Sequence, residues 1–392
     1  MVNSPIIQPI MLQQHPAYRT QIELLRTEFP GRIAATKPPD KWEHERWRSN
    51  GFAQKLRHYA SRLDVLNLDK NEIAYVSGSL RPTMYRLLGR AWSAYLDIDD
   101  PLSLYKNGGR NSLKGGELRD TAQSLLRYLD TTHISFWSDI QLGNFLANFH
   151  ADETAEFLAT NRLSVLPPAI VPQVDASNIG ADQRLRCLSI ASGKFWHKGV
   201  PDTIAAVDRL AASGVPISLT IVGADIPSDW RSFIESRVCL KLHTKLSREG
   251  LNDLMRNHDV LVFPSHHDTY GWVLLEAKSF GLPAVATDFY SRPEIVRNEI
   301  DGLLVRDPFV NPFLPIGPAP YAAAHLSVSQ GNVRVGRFLA AYIDDLANAL
   351  GRLASDRELL KRLGAAALAS VQQTSKFGAA TRIARLSPYL TA

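Results

Sequence analysis

The sequence predicts an α/β protein built on parallel sheets and divided into two domains. Three observations carry this. Val260 to Phe263 is a short apolar run that suits a buried strand, Tyr270 to Phe280 has helical spacing, and Ala284 to Thr287 reads as the next strand. Strand, helix and strand make the βαβ unit from which parallel sheets are assembled. The same alternation recurs along the chain. Finally, 392 residues at 45% hydrophobic content suffice for two cores of about 150–200 residues each. Pro167 to Arg186, rich in proline, glycine, aspartate and asparagine, reads as the linker between them.

In chain order, Pro5 to Leu12 suits a first strand. Pro16 to Phe29 follows as an amphipathic helix with Ile22, Leu24, Leu25 and Phe29 on one side. Phe52 to Leu66 is helical and carries Lys55, Arg57, His58 and Arg62. It reads as a solvated face or as a membrane or acceptor contact. Glu72 to Val76 is a strand running into Ser77-Gly78-Ser79, and Tyr95 to Ile98 one running into Asp99, Asp100 and Pro101. His133 to Trp137 and Leu163 to Leu166 are strands around a helix at Gln141 to Asn148.

The second half opens with a strand at Leu185 to Ala191 and a helix at Val200 to Ala211. Ile217 to Val222, ending at Gly223, and Val238 to Leu242 are the next strands, and Leu251 to Asn257 a helix. Gly281 sits like a helix C-cap with Pro283 beyond it. Asp307 to Val333, rich in proline and alanine, is a long loop or insertion. Ile343 to Val371 and Lys376 to Leu390 are helical.

The net charge of +5 is small for this length and scattered. It favours anionic ligands but marks no nucleic-acid module. No run of about 18 apolar residues predicts a membrane span, and the N-terminus lacks a secretory pattern. Cys187 and Cys239 read as buried thiols of a reducing compartment, and two cysteines without clustered histidines give no zinc site. The expected location is the cytoplasm, with a peripheral contact at the inner membrane face left open.

The chemistry concentrates between Pro264 and Glu276. The first N–H groups of a helix have no partner within it and favour anions. Thr269, Tyr270, Gly271, Trp272 and Val273 stand at that start, and glycine lets a ligand approach the backbone. Asp268 and Glu276 are eight positions apart, slightly over two turns, so both can face one side at different depths. The alternative is an N-cap aspartate and a solvated glutamate.

This stretch resembles the acidic-x(7)-acidic signature of retaining, GT-B-fold nucleotide-sugar glycosyltransferases of the glycogen-synthase-like group. Pro264, Ser265, Asp268, Gly271, Glu276, Ala277, Gly281, Pro283 and Val285 carry it. Asp268 stands where the family usually has glutamate. Ser192 to Gly199 resembles the family's basic diphosphate clamp, with Lys194 in place of an arginine at shorter spacing and Lys198-Gly199 matching directly. Gly223 resembles the family's turn near the nucleotide. Gln13, Gln14 and His15 stand where the family has a glycine-rich loop.

The resemblance implies two Rossmann-like domains, at 1–170 for the acceptor and 171–375 for the donor, with a crossover helix at 376–392. It implies retaining sugar transfer from a nucleotide diphosphate sugar to a glycan, lipid-linked or small-molecule acceptor, without cofactor or metal. Lys198, Asp268 and Asp99 are the catalytic candidates. Lys194, Lys198, Gly223, Asp268 to Val273 and Glu276 are the donor-binding ones. Two other readings compete. Asp97-Ile98-Asp99 also matches the metal-binding Asp-x-Asp of the unrelated GT-A glycosyltransferases. The atypical N-terminal loop suits a non-catalytic nucleotide-sugar-binding subunit of a transferase complex.

Overall fold

The computed structural model describes residues 6–11, 16–34, 72–77, 93–99, 132–147, 149–174, 179–180, 183–191, 195–266, 268–306, 326–329, 332–335 and 337–391. Outside them lie the expectations for Gln13 to His15, Phe52 to Leu66, Gly78, Ser79, Asp100, Lys194 and most of the 307–333 insertion. The chain forms two compact units, Met1–Pro168 with Arg382–Ala392, and Ala169–Thr381.

Unit 1 holds a parallel sheet of β1 (Ile6–Met11), β2 (Glu72–Ser77), β3 (Ser93–Ile98), β4 (Thr132–Phe136) and β5 (Leu163–Val165), adjacent in that order. After Ser93 every residue of β3 is buried, as expected of a parallel strand covered on both faces. Helix α1 (Pro16–Glu28) buries Ile22 and Leu25 against Ile7, Ile73, Tyr75 and Tyr95. Helix α2 (Asp139–Leu146) follows β4. Helix α3 (Ala151–Ala159), absent from the sequence reading, begins where the His150 N–H donates to Glu153 Oε2 at 2.9 Å. It buries Phe157 against Phe145 and Phe149.

Unit 2 is a second parallel sheet in the order β11-β10-β9-β6-β7-β8. Its strands are β6 (Leu185–Ile190), β7 (Ile217–Val222), β8 (Leu240–His243), β9 (Val260–Phe263), β10 (Ala284–Thr287) and β11 (Gly302–Val305). The chain steps outward from β6 to β8. It then returns to the other side of β6 for β9 and continues to β11. The direction of winding therefore reverses between β6 and β9.

The helices of unit 2 are α4 (Val200–Ala212), α5 (Ser228–Glu235), α6 (Arg248–Arg256), α7 (Trp272–Ser279), α8 (Arg292–Ile295), α9 (Arg337–Ser355) and α10 (Arg357–Ala369). Helix α5 was also not anticipated; it buries Trp230, Phe233 and Ile234. Helix α6 starts three residues before its apolar spacing, because Ser247 Oγ accepts from the Gly250 N–H at 3.0 Å and caps it. Strand β8 begins two residues late, leaving Val238 fully exposed. Part of the expected loop is an antiparallel hairpin of β12 (Leu326–Ser329) and β13 (Asn332–Val335). Cys187 is buried, which pushes its thiol up, but Cys239 is only half-buried. Among the described residues no helix is long and apolar enough to cross a membrane.

The last helix, α11 (Ala379–Thr391), reaches unit 1, where Leu386 and Leu390 join the core. Its Arg382 explains Asp97 and corrects the metal reading. Asp97 is fully buried and ion-paired with Arg382. It also accepts from the Tyr75 hydroxyl, from Trp137 Nε1 at 2.7 Å and from Ser135 Oγ at 3.3 Å. The Arg382 guanidinium donates on to the carbonyls of Leu166 at 2.9 Å and Pro167 at 2.8 Å. A carboxylate with this many donors is a structural anion, not a metal ligand. Removing one partner of a buried pair strands the other charge at a cost of about 3–5 kcal/mol. Asp97→Ala is therefore expected to lose that much stability in urea denaturation, and an unchanged midpoint would contradict the assignment.

Candidate functional site

Open α/β sheets hold ligands beyond the carboxyl ends of their strands, where the winding reverses. In unit 2 that place lies beyond β6 and β9. The segment after β6 leads to Phe195–Gly199, and the segment after β9 is Pro264–Asp268. Gly199, the N-cap of α4, has φ +65°. A Cβ there would lie 2.1 Å from the Pro264 carbonyl oxygen, so only glycine permits the approach. Ser265 Oγ and the His266 N–H both donate to the His197 carbonyl, at 3.1 and 3.0 Å. Thr287 Oγ1, at the end of β10, donates to the Ser265 carbonyl at 2.8 Å.

This brings Lys198 and Asp268 into an ion pair through Asp268 Oδ2. Their side chains are only 12% and 14% exposed, and the ammonium lies 5.1 Å from the Phe263 ring centroid. Asp268 Oδ1 accepts from the Tyr270 N–H at 3.1 Å. Tyr270 thus directs its N–H to Asp268, and its carbonyl accepts from Ser291 Oγ at 2.6 Å.

Helix α7 starts at Trp272, and its N-cap is Gly271 at φ +100°, not Asp268. A Cβ on Gly271 would come within 3.0 Å of Leu274 Cδ1. The expected helix start at Tyr270 fails because the left-handed backbone at Gly271 begins a new element. Thr269 and Val273 are half-buried, and Trp272 is buried.

About one turn along α7, Glu276 Oε1 accepts from Arg248 Nη1 at 2.6 Å. Burial raises the Glu276 carboxyl above the ordinary range, and Arg248 opposes that rise. Glu276 is thus a half-buried, paired carboxylate rather than a freely solvated one. Helix α7 is fastened at its far end by Lys278, which reaches Asp301 Oδ1 at 2.8 Å and Ser370 Oγ at 3.2 Å. Burial pushes the Lys278 ammonium down to about 8.

Gly223 follows β7, with its N–H on the His243 carbonyl at 2.9 Å. A Cβ there would meet Ala191 Cβ, just past β6, at 3.1 Å. Asp99 belongs to unit 1, half-buried, with its carbonyl accepting from Gln141 Nε2. Lys198, Asp268 and Tyr270 are therefore in direct contact, while Glu276 is held by a residue the sequence reading did not select. Arg248 was legible only as the basic residue after a cap serine.

Comparison with known proteins agrees with this fold. Residues 186–311 match the family model described as Glycosyl transferases group 1. The matched stretch runs from β6 to just past β11. The whole chain has the GT-B fold. It superposes on the crystal structure of Anabaena HepE in complex with UDP and glucose with a TM-score of 0.61, at 12% identity over 98% of this chain and 99% of that one. Among sequence relatives it is similar to the lipopolysaccharide glucosyltransferase WaaG of Escherichia coli K12, 24% identical over 193 residues, 46% of this chain. It is also similar to a D-inositol 3-phosphate glycosyltransferase of Streptomyces griseus, 32% identical over 133 residues, 34% of this chain. The matched stretches span 50% of the first relative and 21% of the second.

The close approach at Gly199 yields a test. A side chain there adds left-handed strain of about 1–2 kcal/mol to an overpacking cost of about 1–3 kcal/mol. Gly199→Ala should lower stability by at least about 2 kcal/mol in thermal or urea unfolding. A variant as stable as the parent would mean that the two segments are not pressed together.

Proposed function

We propose that the chain transfers a sugar from a nucleotide diphosphate sugar to an acceptor, with retention at the anomeric carbon. The observation that carries this is the Lys198–Asp268 pair, mostly shielded from water and set against the start of α7 where the winding of the unit 2 sheet reverses. Such a place suits a diphosphate beside a polyhydroxyl group. The group 1 match over this region supports a nucleotide-sugar donor. HepE was solved with UDP and glucose, which makes UDP-glucose the first donor to test.

In this reading Lys198 neutralises the leaving diphosphate. An ammonium has three donors, so it can hold Asp268 and a phosphate oxygen together. Negative charge grows on the diphosphate as the glycosidic bond breaks. A lysine in a water-poor site therefore stabilises the transition state more than the bound donor. Asp268 accepts from hydroxyls of the transferred sugar, and Glu276, aligned by Arg248, accepts from the ribose. Lys194 and the peptide groups from Thr269 to Val273 complete the donor contacts, with Gly223 beside the nucleotide. Asp99 stands on the acceptor side. No protein nucleophile is assigned, and lysine takes the role that a divalent metal fills in other transferases. The acceptor is a glycan, a lipid-linked sugar or a small molecule, reached in the cytoplasm or by peripheral contact with the inner membrane face. WaaG, as a lipopolysaccharide glucosyltransferase, supports a glycan or lipid-linked acceptor.

Losing one contact to developing charge costs about 2.7–4 kcal/mol of barrier, roughly 100- to 1000-fold in rate. Lys198→Ala should show a loss of that order in initial rate, and wild-type activity should persist in excess chelator. Near-normal rates in Lys198→Ala would overturn the assignment, as would activity that vanishes with chelator and returns with magnesium or manganese.

A further inference from the structure

We infer that Asp202 and His266 form a buried positioning pair that sets where Lys198 meets Asp268; this rests on the function proposed above. His266 Nε2 lies 3.0 Å from Asp202 Oδ2, and both side chains are nearly inaccessible, at 2% and 0% exposure. Asp202 stands in the first turn of α4, four residues after Lys198. His266 stands two residues before Asp268. The pair therefore joins the lysine segment to the aspartate segment immediately behind the two groups that act on the donor.

Three further hydrogen bonds and one ring contact act at the same seam. The His197 carbonyl accepts from the His266 N–H and from Ser265 Oγ. Tyr342 donates its hydroxyl to the Pro264 carbonyl at 3.4 Å, and its ring lies 5.4 Å from the His266 ring. The His197 carbonyl holds the two segments together at residues 265–266. The side-chain pair adds an anchor on the first turn of α4, so the segments cannot rotate about the backbone seam.

The pair is costly for the fold. Asp202 Oδ1 is buried without a hydrogen-bond partner, and leaving a buried polar atom unsatisfied destabilises a fold. An apolar residue of similar size would avoid that cost. The compensation is geometric. Asp202 accepts a hydrogen bond from Nε2–H, which fixes the ring orientation, and the helix N-terminus favours negative charge at that position. A misplacement of about 1 Å far from the chemistry can cost about 100-fold in rate. His266 and Asp202 are thus positioning residues rather than catalytic ones.

The test compares Asp202→Ala, Asp202→Asn and His266→Gln in the full-length protein. It measures kcat, KM for UDP-glucose or whichever nucleotide sugar the wild type uses, affinity for the matching nucleoside diphosphate, and Tm. Asp202→Ala should lose about 10- to 100-fold in kcat, with KM and nucleoside diphosphate affinity within about threefold, since the carbonyl seam stays intact. Asp202→Asn, whose amide oxygen still accepts from Nε2–H, and His266→Gln, whose amide still donates, should recover most of the rate. A purely structural role predicts a lower Tm with kcat per folded molecule unchanged, and that result overturns the inference. Equal losses in Asp202→Asn and Asp202→Ala overturn it too. Should Asp202→Ala not fold, His266→Gln against His266→Ala gives the same comparison. An active wild type with indifferent variants refutes the pair alone. A wild type that turns over no nucleotide sugar refutes the proposed function, and the pair's role with it.

Discussion

The contact between Gly199 and the Pro264 carbonyl governs the candidate site. Two segments leave the sheet at the carboxyl ends of neighbouring strands, and they can meet only if one of them carries no side chain at the crossing. Gly199 also serves as the left-handed N-cap of α4, so one residue both turns the chain and removes the obstacle. Lys198 adjoins this crossing and Asp268 lies four residues past Pro264, and the two meet in an ion pair. The reversal of winding between β6 and β9 makes these two segments neighbours in the first place.

Burial then decides how the charges behave. Three charged pairs bear on α7 or its approach: Lys198 with Asp268, Arg248 with Glu276, and Lys278 with Asp301. Removing a charge from water is unfavourable, and in each pair the partner offsets that penalty. Lys278 shows how strongly desolvation acts, since its ammonium is pushed down to about 8 despite a carboxylate at 2.8 Å. The pairs fasten a short helix at both ends. Its eight residues could not hold their own position in water, and rigid support is what a site needs if its donors are to meet a bound diphosphate without reorganisation.

The sequence was most legible where one local rule had no competitor. Val260–Phe263 and Ala284–Thr287 are continuous apolar runs bounded by turn residues, and both strands appear with the expected ends. The start of α7 was misplaced because Tyr270 fits the helical spacing while Gly271 breaks it with a positive φ, which spacing does not encode. Helix α5 carries Trp230, Phe233 and Ile234 at helical intervals, but it is only two turns long and flanked by proline, so its signal is brief. The competing metal reading of Asp97 stayed open for a deeper reason. Its partner Arg382 lies 285 positions away, and no local pattern distinguishes a carboxylate awaiting a metal from one awaiting an arginine. The pairing of Glu276 with Arg248 was hidden in the same way.

The central claim is that Asp268 serves the transferred sugar while Lys198 serves the diphosphate. Calorimetric titration of wild type and Asp268→Ala with UDP and with UDP-glucose separates these roles most directly. Removing Asp268 releases Lys198 from its present partner. The account therefore predicts that the variant binds UDP as tightly as the wild type or more tightly, while the added affinity and the turnover that depend on the glucosyl group are lost. Equal loss of affinity for UDP and for UDP-glucose would contradict it, since the carboxylate would then be serving the nucleotide or the local fold rather than the sugar.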